Sequence, residues 1–109
     1  MNASHGLSER SLAQIDEVLS RFPEVERAML FGSRAKQTHR AGSDIDLALS
    51  GEGLDWRNIG RIYEALDDLL LPYRFSLVRY DSETDPEVAA HIARVGLPIF
   101  RRDRTGVSQ

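Results

Sequence analysis

The chain contains no cysteine, which excludes disulfide staples and thiolate metal sites. It also lacks any apolar run near the ~18 residues of a membrane span. Met1-Asn2-Ala3-Ser4-His5-Gly6 has no cationic stretch leading into an apolar one, so no export signal is read there. A cytoplasmic protein is expected. The net charge of −3 provides no basic excess and argues against a broad nucleic-acid-binding surface. Internal repeats and low-complexity linkers are absent too.

What is present is ordinary for a globular domain: 41% hydrophobic and 28% charged residues over 109 positions. That length fits one domain, residues 1–109, with a modest core. Helical and strand patterns alternate, which predicts a mixed α/β (α+β) fold. Leu12, Ile15, Val18, Leu19 and Phe22 mark one face of a helix, with Ser8 as N-cap and Pro23 past its end. Val25 to Phe31 reads as a strand ended by Gly32. The segment from Lys36 to Ser43 reads as a polar loop. Ile45, Leu47 and Leu49 alternate with Asp44, Asp46 and Ala48, giving a second strand.

Trp56, Ile59, Ile62, Tyr63, Leu66, Leu69 and Leu70 form the longest helical stripe, with Asp55 as N-cap and Trp56 read as a core residue. Tyr73 to Tyr80 is a third strand. Asp85-Pro86-Glu87 opens a last helix that carries Val88, Ile92 and Val95 on its apolar face. Leu97 to Phe100 reads as an edge strand, and 101–109 as a flexible tail.

The chemistry concentrates in one block, Phe31-Gly32-Ser33-Arg34 … Gly42-Ser43-Asp44-Ile45-Asp46-Leu47. A Gly-Ser turn at the end of a strand presents backbone N–H groups and a hydroxyl, which suit a phosphate chain. Arg34 and Lys36 add positive charge nearby. Asp44 and Asp46, two apart on a strand, project from one side about 6–7 Å apart. Like charges so close favour a cation between them. Mg²⁺ is the natural candidate, since it takes carboxylate and phosphate oxygens. Together these parts suit displacement at phosphorus.

Gly32-Ser33, ten residues, then Asp44-Ile45-Asp46 resembles the signature of the DNA polymerase β-type nucleotidyltransferase superfamily. The short chain is similar to its minimal, MntA-like branch. The likeness extends through the Asp55–Leu70 helix, Pro72-Tyr73 and His91-Ile92-Ala93-Arg94-Val95-Gly96. It implies a small mixed sheet with helices packed on one face. It implies that Mg-ATP is bound and that a nucleoside monophosphate passes to a hydroxyl. Gly32 and Ser33 match the triphosphate turn, with Arg34 and Ser43 grouped as nucleotide-binding. Asp44 and Asp46 match the first two metal ligands and catalytic carboxylates. The branch is often paired, as antitoxin, with a helical HEPN-type protein, whose tyrosine is the implied acceptor.

The sequence departs from this pattern at Ser76, which stands where a third carboxylate is expected. A hydroxyl is a weak metal ligand and no base near neutral pH. Alternation along the strand puts Asp81 on the side of Phe75 and Leu77, away from Ser76. Two readings follow: an active nucleotidyltransferase, or a binding antitoxin that keeps the fold and the nucleotide site. A third reading, the core of a tRNA- or antibiotic-modifying enzyme, would need a separate substrate-binding subunit. His39 and His91 read as solvated or partner-facing side chains. Arg101, Arg102 and Arg104 are too few for a nucleic-acid patch.

Overall fold

The alternating pattern folds as α1 (Glu9–Ser20), β1 (Arg27–Phe31), α2 (Gly32–Ala35), β2 (Ile45–Ser50), α3 (Trp56–Asp67), β3 (Phe75–Arg79), α4 (Pro86–Val95) and β4 (Leu97–Arg101). This computed structural model describes residues 7–36 and 43–102. His39, most of the predicted polar loop and Arg104 lie outside the described residues.

The helix starts follow local chemistry. The Ser8 hydroxyl accepts from the Ser11 N–H at 3.0 Å. At α3, Asp55 accepts from the Asn58 N–H at 2.9 Å and the Asn58 side chain accepts from the Asp55 N–H at 3.0 Å, a reciprocal cap. At α4, Asp85 caps and Pro86 sits at the first helical position, where its missing N–H costs nothing.

The strands form one mixed sheet in the order β3-β2-β1-β4. β1 pairs antiparallel with β2 and with β4, while β2 and β3 run parallel. A parallel pair needs a crossover, and α3 supplies it. Alternation then divides the sheet. Ala28, Leu30, Ile45, Leu47, Leu49, Phe75 and Phe100 point to one face and are buried there with Ile15, Val18 and Leu19 of α1 and Ile59, Ile62 and Leu66 of α3. Each such aliphatic side chain contributes about 1.5–3 kcal/mol on burial. The one-face packing expected of the helices describes α1 and α3. The short α4 lies against β1 from the other side, where the His91 ring meets Phe31 edge-on at 6.0 Å.

Two expectations move. Trp56 is 71% exposed rather than core. It is the first residue of α3, outside the arc of Ile59, Ile62 and Leu66 that meets the sheet, and its ring carries the Arg79 guanidinium at 5.6 Å. Leu54, just before the helix, takes the buried position instead. Arg101 and Arg102, expected in a flexible tail, are held in place, and residues 103–109 lie outside the described residues. Arg101 ends β4, and the Arg102 N–H donates to the Glu26 carbonyl at 2.9 Å.

The Arg102 guanidinium reaches under the C-terminus of α1. It donates from Nε to the Val25 carbonyl and from Nη2 to that of Phe22, both at 3.0 Å. A cation there adds donors to the carbonyls beyond the helix end and opposes the helix dipole. Arg102→Ala is therefore expected to destabilise the fold by about 1–3 kcal/mol. Arg101→Ala, at an exposed edge position, should stay within about 0.5 kcal/mol. Urea denaturation of the two variants checks both values.

Candidate active site

The sheet face opposite the α1–α3 core carries the polar block. The register aligns Phe31 of β1, Asp46 of β2 and Ser76 of β3 side by side across three strands. Asp44 precedes β2 and is exposed, while Asp46 is half-buried.

The Asp46 carboxyl is held above the usual carboxylate range. Burial is the main cause, followed by the negative charge of Asp44. His91 and a side-chain hydrogen bond from Ser76 pull in the opposite direction. The Ser76 hydroxyl thus donates to the carboxylate that a third acidic side chain would repel. Ser76 occupies the predicted third-carboxylate register, directly beside Asp46.

Gly32 begins α2 with φ of +75°, a left-handed conformation that side chains resist. A Cβ at this position would strike Asp46 Oδ2. The glycine backbone therefore lies directly against the carboxylate, so the turn and the Asp pair form one surface. Ser33 follows in the first turn of α2, partly exposed.

Arg34, expected among the nucleotide-binding residues, is placed differently from a solvent-facing phosphate ligand. It is 1% exposed. Its Nε and Nη2 donate to the Ser43 carbonyl at 3.2 and 3.0 Å, and its guanidinium stacks on the Tyr73 ring at 4.6 Å. This clamp ties α2 to the chain just before Asp44 and to the segment leading into β3. Lys36 ends α2 exposed. Asp81 lies past the far end of β3, about 16 Å along the strand from Ser76 at ~3.3 Å per residue. There it pairs with Arg79 at 2.9 Å and does not replace the missing carboxylate.

Sequence reasoning missed His91 as a neighbour of the site. Its signal is a single histidine before an apolar helix position, and only the packing of α4 on β1 brings it toward Asp46. Among the described residues no three His, Cys, Asp or Glu side chains cluster as a metal site. Beside Asp44 opens a cleft of about 380 Å³ walled by Leu71, Pro72, Tyr73 and Arg74.

Two stability tests follow from these contacts. Gly32→Ala should cost about 1–3 kcal/mol. Only the part of that loss due to the clash with the carboxylate should disappear in an Asp46→Ala background, the strain of the left-handed backbone remaining. Because the native Asp46 pKa is raised, the folded chain binds a proton more readily than the unfolded one. That contribution to stability therefore falls as pH rises from the ordinary value of 3.8 through the native one. Asp46→Asn is accordingly expected to melt above wild type at neutral pH, with the advantage fading in acid.

The geometry agrees with the comparisons. The sequence profile described as Polymerase beta, Nucleotidyltransferase matches residues 13–105. No curated protein sequence matches the chain. Among solved structures, a toxin–antitoxin complex with AMP-PNP aligns at TM-score 0.68 and 19% identity, covering 94% of this chain and 80% of that one. An MNT antitoxin in complex with the tri-AMPylated HEPN toxin of Shewanella oneidensis aligns at 0.66 and 16%, covering 94% and 79%. A candidate nucleotidyltransferase from Sulfolobus solfataricus aligns at 0.53 and 20%, covering 91% and 94%. With its signature block assembled on a four-stranded mixed sheet, this chain belongs to the polymerase β nucleotidyltransferase family.

Proposed function

We propose that this chain is a Mg-dependent nucleotidyltransferase that moves AMP from ATP to a hydroxyl of a HEPN-type partner, acting as its antitoxin in the cytoplasm. The observation that carries this reading is the contact of Gly32 with the Asp46 carboxylate, which joins a phosphate-type turn to a carboxylate pair. The solved complexes with AMP-PNP and with an AMPylated HEPN toxin support the choice of nucleotide and acceptor.

The donor set fits a divalent cation. Asp44 and Asp46 repel one another, and the resulting strain is of the kind that a cation between them relieves. Asp44 and Asp46 would hold Mg²⁺, which when bound neutralises phosphate oxygens and aligns the reacting groups. The amides and hydroxyl of Gly32-Ser33 hold the triphosphate. Arg34 positions Asp44 through Ser43, so its role is indirect. The open depression beside Asp44 takes the nucleoside end. In the reaction the acceptor oxygen bonds to the α-phosphorus and the bond to pyrophosphate breaks. The acceptor proton leaves to solvent or to the partner, because Ser76 is no base.

Ser76 also supports a second reading, a binding antitoxin whose site retains nucleotide with little turnover. Intact-protein mass spectrometry separates the two. The chain is mixed with its HEPN-type partner and Mg-ATP, with Asp46→Asn and Ser76→Asp in parallel. The transferase reading expects an AMP adduct on the partner, reduced at least ~100-fold by Asp46→Asn. A wild-type rate that Ser76→Asp does not improve would count against the second reading. A complex that forms without any adduct, and gains one only with Ser76→Asp, would establish it.

A further inference from the structure

The outer edge of α3 combines three features that cost local stability. Trp56 is 71% exposed, Tyr63 42% and Leu70 87%. Gly60 sits in the middle of the helix with nothing within 4 Å of the position of a Cβ. Alanine would fit there and favour the helix more. Leu70, just past the helix, has φ of +57°, a conformation usually left to glycine or asparagine. Yet its side chain points into solvent. Local rules broken without a local gain mark a surface with a role.

At 100° per residue, Trp56, Gly60, Tyr63 and the exposed Asp67 fall on one narrow stripe that borders the core arc. Arg79 stacks on the Trp56 ring and is itself held by Asp81 at 2.9 Å, so the indole is supported before any partner arrives. One flank of the stripe carries Arg57 and Arg61 in its first half and Glu64 and Asp68 in its second, all exposed.

We propose that this edge is a homodimer interface in which α3 packs antiparallel against α3 of a second copy. A two-fold axis between Gly60 and Tyr63 sets each tyrosine ring into the space left by the other copy's glycine, the self-complementary match that a two-fold interface requires. The charges select the direction. Antiparallel pairing brings the charged flanks to the same side and puts Arg57 and Arg61 of one copy against Asp68 and Glu64 of the other, whereas a parallel two-fold pair sends the flanks to opposite sides, where they do not meet. Twelve helical residues span about 18 Å. So small a patch predicts a weak dimer, with Kd on the order of micromolar. α3 runs from the far end of β2 back to the Ser76 end of β3. The pairing therefore directs the two Asp46 sites to opposite ends, each open to its own acceptor. The dimer does not depend on the reaction proposed above.

Sedimentation velocity from about 1 to 500 µM tests it. Wild type should pass from monomer to dimer across that range. Gly60→Leu, which the monomer has room for, should keep or raise the Tm while weakening the dimer at least ~tenfold. Arg57→Glu/Arg61→Glu and Glu64→Lys/Asp68→Lys should each be monomeric alone and form a heterodimer when mixed. Wild type that stays monomeric throughout would overturn the proposal, as would a dimer that survives Gly60→Leu. A monomer that uses this edge only to bind a HEPN-type partner would overturn it too.

Discussion

Asp46 is the constraint around which the site is arranged. A carboxylate half-buried between two other strands, with Asp44 close by, is an unfavourable charge. The fold tolerates it by surrounding it with specific neighbours. Ser76 donates a hydrogen bond from one side, and His91 lies within electrostatic reach. Phe31 flanks it in the register on the other side, and Gly32 makes room for the carboxylate by having no side chain. The stability lost at this point leaves a negative, oxygen-rich surface touching a turn suited to phosphate.

The rest of the molecule makes that arrangement possible. Strand alternation sends Leu47 and Leu49 into the α1–α3 core and leaves Asp46 on the opposite face, so the same β2 strand anchors the core and presents the carboxylate. Two arginines hold the boundaries. Arg34 is buried under Tyr73 and bonded to the Ser43 carbonyl, which fixes the chain entering β2. Arg102 closes the C-terminus of α1. Both use a planar, permanently charged fork to reach backbone carbonyls from a partly buried position.

Much of this was legible residue by residue. The helix caps Ser8, Asp55 and Asp85 are short-range chemistry and form where the sequence placed them. The strands around Phe31, Leu47 and Leu77 follow period-2 patterning. Ser76 fell in the expected register beside Asp46: alternation puts it on the Asp46 face, and the packing of β3 against β2 chooses among the two-residue shifts that keep that face. Other features were not legible. Trp56 matched the helical stripe yet lies outside, since hydrophobicity does not reveal which part of an apolar arc meets a neighbour. Arg34 was expected to add positive charge beside a phosphate turn, and its burial against the Tyr73 ring could not be read from the sequence.

The amino-acid sequence by itself determined the elements, their order along the chain, and the spacing of a glycine turn from two carboxylates. Those depend on local propensity, periodicity and spacing, which are written along the chain. Tertiary structure decided the environment of each group: the contact of Gly32 with Asp46, the hydrogen bond from Ser76, the arrival of His91 from α4, and the exposed edge of α3. These depend on which distant surfaces meet, and through that on desolvation and charge. Such quantities arise only when strands and helices far apart in sequence pack together.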